Sequence, residues 1–152
     1  ILMNKELMFS SKTDLWETPA DLFKKIDDVF RFDLDVCATP ENAKCESYFT
    51  IADDGLSKEW FGTCWMNPPY GRKIGDWVRK AYYSARQNGA TIVCLLPART
   101  DTDWWKNYCT EAEVHFIRGR IKFGDSKNSA HFPSALIVFR PNLNDVFNLR
   151  KI

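Results

Sequence analysis

Apolar residues recur along the first part of the chain at two different periods, and each period predicts a different element. Leu22, Phe23, Ile26, Val29 and Phe30 stand one, three and four apart, as on one face of an amphipathic helix. Its start is marked by Thr18 as a capping residue, Pro19 at the first helical position and Asp21 near the positive helix end. From Phe32 to Ala38 the period drops to two, with Leu34 and Val36 alternating against Asp33 and Asp35, which predicts a strand. The pattern is poor from Thr39 to Gly62, where only Tyr48 to Ile51 reads as a short strand and Asp53-Asp54-Gly55 as a turn.

The second half is clearer. Thr63 to Met66 is a short buried strand that runs into Asn67-Pro68-Pro69-Tyr70. A helix follows over about 75–88, carrying Trp77, Val78, Ala81, Tyr82 and Ala85 on one side and stopped by Gly89. Thr91 to Leu96 is almost wholly apolar, the pattern of a central parallel strand covered on both faces, and Pro97 ends it. Asp101 or Thr102 caps a helix bearing Trp104, Trp105 and Tyr108, which read as packing residues. Val114 to Phe123 and Ala135 to Phe139 read as a final pair of strands joined by the polar stretch 124–133. The predicted fold is α/β and three-layered, with a mostly parallel sheet and an antiparallel final strand. One domain is expected over 1–152, with 1–15 as a loose polar arm and no separate target-recognition domain.

Composition narrows the class. With 45% hydrophobic and 27% charged residues the chain reads as globular, and no apolar run is long enough to span a membrane. No signal-peptide pattern is present, so a cytoplasmic location is expected. Five cysteines without a CxxC pair argue against a disulfide framework, and with only His115 and His131 to assist them, against zinc; no metal is expected. A net charge of +1 supplies no global attraction to nucleic acid, so any such binding must come from local clusters.

In a sheet of this kind ligands bind beyond the carboxyl ends of the strands. One such end is Asp35-Val36-Cys37-Ala38, an acidic residue followed by small ones; the other is Asn67-Pro68-Pro69-Tyr70. The two prolines fix an extended turn and remove two amide donors, leaving the Asn67 side-chain carbonyl and the Pro68 carbonyl as acceptors for the hydrogens of an amino group. Holding an aromatic amine in this way favours a pyramidal nitrogen and directs its lone pair toward an electrophilic carbon. Tyr70 offers a face for a base swung out of a duplex. Pro-Pro-Tyr alone also fits a rigid loop or a proline-rich ligand; its place between a buried strand and a helix favours the catalytic reading. Asp35, Asp53 and Asp54 fit turn-forming as well as binding, and Arg118, Arg120 and Lys122 fit the solvated face of a strand as well as phosphate contact. Arg99, just past the end of the central strand, is better placed for substrate.

Asn67-Pro68-Pro69-Tyr70 resembles the Asp/Asn-Pro-Pro-Tyr signature of amino-methyltransferases. The wider string resembles the phage-type Dam, or DNA N-6-adenine-methyltransferase, family. The resemblance runs over residues 10–141 through Trp16-Glu17-Thr18-Pro19, Leu34 to Ala38, Asp53 to Leu56, Asn67 to Arg72, Leu95 to Thr102 and Arg118 to Phe123. It implies a Rossmann-like methyltransferase, S-adenosyl-L-methionine (AdoMet) as methyl donor, adenine N6 in DNA as acceptor, and protection of viral DNA from restriction as a role. Carried over by residue, Asn67, Pro68, Pro69 and Tyr70 are catalytic. Thr18, Asp35, Cys37, Ala38 and Asp53 or Asp54 border AdoMet, with Glu46 as a lesser candidate for its ribose. By charge and position, and not by the resemblance, Arg72, Lys73, Arg99, Arg120 and Lys122 are the candidates for DNA contact.

The sequence departs from the wider methyltransferase pattern where Ala38-Thr39-Pro40-Glu41-Asn42 replaces a glycine-rich turn. That departure keeps open a catalytically silent DNA-binding relative, and an amino-methyltransferase acting on RNA or on protein glutamine would use the same tetrapeptide. With only 124–133, Arg72-Lys73 and Lys122 to read a target, short specificity is expected, in a monomer or small homo-oligomer.

Overall fold

The computed structural model describes residues 16–141, so the expected arm at 1–15 lies outside the described residues. Its elements are α1 (Ala20–Phe30), β1 (Leu34–Asp35), β2 (Ser47–Tyr48), β3 (Thr63–Met66), α2 (Ile74–Asn88), β4 (Thr91–Pro97), α3 (Asp103–Asn107), β5 (Glu113–Phe116) and β6 (Ser134–Phe139). Six strands form one sheet in the order β2-β1-β3-β4-β6-β5. β1, β2, β3 and β4 are parallel, while β6 runs antiparallel to both β4 and β5, so it alone opposes the rest. This is the mostly parallel α/β sheet with a reversed last strand that the sequence predicts, in a Rossmann-like arrangement.

Strand alternation assigns the layers. Trp65 pairs with Val93 on one face, and Cys64 and Met66 pair with Ile92 and Cys94 on the other. Phe23 of α1 meets Trp65 edge-on at 5.2 Å, which puts α1 over the first face. Cys94 lies near Cys64 and Cys109, so the turn after α3 covers the second face, where α2 packs on β4 and α3. With both faces covered, β4 is buried from Ile92 to Pro97.

The chain runs outward from β1 to β2, then returns to lay β3 on the opposite side of β1. The carboxyl ends of β1 and β3 therefore flank the switch point of the sheet, where α/β domains open a crevice. Their ends are matched in register: Asp35 pairs with Trp65, and Val36 N–H donates to the Trp65 carbonyl at 3.1 Å.

Several expected boundaries need correction. Pro19, not Thr18, is the residue before α1, and no side chain caps it. The Thr18 hydroxyl is taken instead by Asn67, 2.9 Å away. Val29, expected on the apolar face, is 76% exposed. The strand expected over Phe32 to Ala38 is only Leu34–Asp35, and Asp35 is buried, not on a polar face. Its carboxylate turns back to accept Cys37 N–H, while Val36 and Ala38 N–H still bond across to Trp65 and Phe49 beyond the strand's end. β2 is likewise Ser47–Tyr48, earlier than Tyr48 to Ile51. The strand expected over Val114 to Phe123 stops at Phe116, since Gly119 at φ 75° turns the chain away from β6. The alternation there still reads exposure correctly: Ile121 and Phe123 are buried while Arg118, Arg120 and Lys122 are exposed.

Candidate active site

β3 delivers Asn67 to the sheet edge, and the Pro68 ring, fully buried, anchors the turn that follows. Both protons of the Asn67 amide are engaged, by the Trp16 carbonyl and by Thr18 Oγ1. Its Oδ1 therefore faces the other way, 2.8 Å from the Tyr70 hydroxyl. That hydroxyl lies equally close, 2.8 Å, to the Leu95 carbonyl of β4. A carbonyl oxygen has two lone pairs, so Oδ1 keeps one for a further donor. Among the described residues no donor is paired with the Pro68 carbonyl. Two acceptors thus remain on a turn tied by its own Asn67 and Tyr70 side chains to the Trp16–Thr18 segment and to β4.

Tyr70 does not present an open face in this state, contrary to the sequence expectation. It is 3% exposed, and Trp16 lies over its ring at 6.2 Å with 20° between the planes. Phe123 and Phe132 meet the Tyr70 ring edge-on at 6.1 and 5.8 Å, closing an aromatic box. Burial pushes the Tyr70 phenol well above its ordinary pKa, so it stays a neutral donor.

Two cavities meet along this turn. One, of about 340 Å³, is walled by Val36, Phe49, Asp54, Gly55, Leu56 and Trp77, among others. The other, of about 210 Å³, is walled by Glu17, Thr18, Asp35, Lys44, Asn67 and Pro68, among others. Cys37, Ala38, Ile51 and Pro69 border both, so the two form one elongated crevice across the ends of β1 and β3. Gly55 lets the chain pack close against two walls of the larger chamber: a Cβ there would lie 2.4 Å from the Val36 carbonyl and 3.2 Å from the Trp77 ring.

Electrostatics divide the chambers. Asp35 accepts N–H groups from Cys37 at 3.2 Å and Lys44 at 3.0 Å, yet burial outweighs these bonds and raises its pKa to about 6. Burial and the neighbouring Asp35 push the Cys37 thiol up to about 12, so it is protonated at neutral pH and no thiolate nucleophile faces the crevice.

The structure brings together Thr18, Asp35, Cys37, Ala38, Asp54, Asn67, Pro68 and Pro69 on the crevice wall, with Tyr70 packed behind. Asp53 does not join them: its Oδ2 accepts the Thr50 N–H at 2.8 Å and the Thr50 hydroxyl at 3.1 Å, and neither cavity includes it. Glu46 is exposed and lines neither cavity. Arg72 and Lys73 border the larger chamber, Arg99 donates to the Tyr70 carbonyl at 3.3 Å, and Arg120 and Lys122 are exposed beside the aromatic box. Sequence reasoning gave no site role to Trp16, Lys44, Phe49, Ile51, Trp77 or Phe132. Only Trp16 carried a signal, its place in Trp16-Glu17-Thr18-Pro19; the rest are set by chain reversals that no local period records.

A Rossmann-like sheet with a two-chambered crevice at its switch point and a rigid Asn-Pro-Pro-Tyr turn between the chambers is the architecture of a methyltransferase. The chain belongs to the DNA N-6-adenine-methyltransferase (Dam) family, whose sequence model matches residues 6–146. It is similar to the DNA N-6-adenine-methyltransferase of Haemophilus phage HP1, at 31% identity over 150 residues, covering 92% of this chain and 86% of the relative. It is also similar to the DNA N-6-adenine-methyltransferase of Escherichia phage T1, at 35% identity over 60% of this chain and 39% of that protein. A putative methyltransferase of Escherichia coli K12, YfdM, is 37% identical over 38% of this chain.

Proposed function

We propose that this protein transfers a methyl group from AdoMet to the N6 amine of adenine in DNA. The observation that carries the proposal is the crevice ending on two acceptors, Asn67 Oδ1 and the Pro68 carbonyl. The donor set fits the cofactor: a chamber with apolar and aromatic walls, one carboxylate, Asp54, and Arg72 and Lys73 at its border suits a nucleoside, and a charged chamber at Glu17, Asp35 and Lys44 suits an α-amino acid.

When bound, AdoMet supplies a methyl group activated by a positive sulfur. The rest falls to the chain itself. Tyr70 and the Trp16–Thr18 segment clamp the Asn67 amide from both sides, so its oxygen is aimed before any amine arrives. Such preorganisation of reactants supports barrier reductions of roughly 7–11 kcal/mol. Pro68 and Pro69 add no N–H that would compete for the acceptors. Ala38, Ile51 and Pro69 keep the junction of the chambers apolar. The Trp16 indole occupies the Tyr70 face on which a base would stack, so a base gains that contact, roughly 1–3 kcal/mol, only by displacing it. Arg99, Arg120 and Lys122 beside the box, with Arg72 and Lys73 at the border of the larger chamber, supply phosphate contacts, and none of them is in an ion pair among the described residues.

Incubation with labelled AdoMet and separate DNA, RNA and protein acceptors tests this reading. Label is expected in DNA as N6-methyladenine; transfer confined to RNA or protein would replace the substrate, and transfer to none would overturn the reading.

A further inference from the structure

The connection between β1 and β2 is helix-free in this protein: residues 36–46 form turns and bends. A nucleotide-binding sheet ordinarily places a helix N-terminus and close backbone amides at this point, where they receive the anionic end of a ligand. Here those amides face inward. Asp35 takes Cys37 N–H and Lys44 N–H, while Thr39 and Asn42 satisfy each other, Thr39 N–H to Asn42 Oδ1 at 2.7 Å and Asn42 N–H to Thr39 Oγ1 at 3.2 Å. Five of the loop's amides, those of Cys37, Thr39, Asn42, Ala43 and Lys44, are thus turned onto β1 and the loop itself, and its Lys44 side chain points into the smaller chamber, only 16% exposed.

Lys44 faces Glu17 across that chamber. Their ion pair, at 3.8 Å, is the longest among the described residues, the others measuring 2.7 to 3.0 Å. Both partners are held from behind by backbone bonds, Lys44 N–H to Asp35 and the Glu17 carbonyl from Gly124 N–H at 2.8 Å. The main chains of both residues are anchored, their charged ends stand 3.8 Å apart with the Glu17 carboxylate half exposed, and both line the same cavity.

We infer that Lys44 and Glu17 form the subsite for a zwitterionic α-amino acid, Lys44 taking the α-carboxylate and Glu17 the α-ammonium of the cofactor. This rests on the AdoMet reading above. A zwitterion entering between them exchanges one opposite-charge pair for two, with no net change of charge. Lys44 then does for the carboxylate what a helix N-terminus and glycine-rich turn would otherwise do, and Asp35 acts as a positioning residue that holds the Lys44 backbone. The glycines missing after β1 are thereby accounted for.

Calorimetric titration with two probes tests this. S-adenosylhomocysteine carries the α-amino acid end, and 5′-methylthioadenosine keeps the thioether nucleoside without it. Lys44→Met is expected to weaken S-adenosylhomocysteine binding by about 10- to 100-fold, the effect of losing a charged hydrogen bond. Binding of 5′-methylthioadenosine stays unchanged, Lys44→Arg restores most of the loss, and Glu17→Gln produces a smaller loss on the same probe alone. Unaltered S-adenosylhomocysteine binding by Lys44→Met, or equal loss of both probes, overturns the inference while leaving the cofactor reading standing. Failure of the wild-type protein to bind either probe removes the cofactor reading and the subsite with it.

Discussion

At Asn67 each polar atom has a geometric duty: the amide protons hold Trp16 and Thr18, and the oxygen faces Tyr70 with a lone pair to spare. Asn67→Ala removes the acceptor without altering the larger chamber, so methyl transfer should fall by about 100-fold or more. Cofactor binding by calorimetry should largely survive, whereas near-normal turnover would exclude the assigned site. Asp35 carries the second prediction at this scale. Its folded pKa, about 6, is raised above the ordinary 3.8, so its contribution to stability is fully present below pH 3.8 and is lost as pH rises to about 6. The loss amounts to about 3 kcal/mol. Unfolding free energies from denaturant titrations at pH 4 to 6 should fall more steeply for wild type than for Asp35→Asn; equal slopes would contradict the burial argument. The Asn-Pro-Pro-Tyr string was legible as a rigid turn at a strand end because its backbone constraints are local. The burial of Asp35 was not, since alternation with Leu34 and Val36 says nothing of a side chain that bonds back to its own loop.

The elements differ in how openly the sequence declares them. β3, α2 and β4 were read to within a residue at each end, because each is stabilised by apolar contacts that recur at the period of the element. β1 and β2 are two residues each, and their neighbourhood is held by side-chain bonds from Asp35, Asn42 and Asp53, which leave no periodic trace. The contact between the β1 end and the turn at Gly55 is tight enough to predict a third outcome. Gly55→Ala forces a Cβ to 2.4 Å from the Val36 carbonyl, so the backbone must shift. Thermal melts should show a loss of about 1–3 kcal/mol. Nucleoside binding should weaken as well, because Val36 and Trp77 wall the larger chamber. An unchanged melting temperature together with unchanged nucleoside affinity would contradict the close approach. The Trp16–Thr18 segment is the other device of this scale: one short stretch covers Tyr70, holds Asn67 and lines the smaller chamber.

Over the whole molecule a net charge of +1 leaves DNA attraction to placement, not to total charge. Arg120 and Lys122 lie exposed next to the aromatic box that encloses Tyr70, and removing both should lower the slope of log affinity against log salt by about 2. A slope that stays the same in a filter-binding series would move the DNA face elsewhere. Layering and strand direction were legible in the alternation of helical and strand periods. The crevice was not, because it arises where two chain reversals meet, at the ends of β1 and β3. The most direct test is to map N6-methyladenine in DNA from cells that lack adenine methylation and express either this chain or its Asn67→Ala variant. Methylated adenines should appear with the wild-type chain and vanish with the variant. Unmethylated DNA from wild-type cells, or equal methylation from both, would contradict the account.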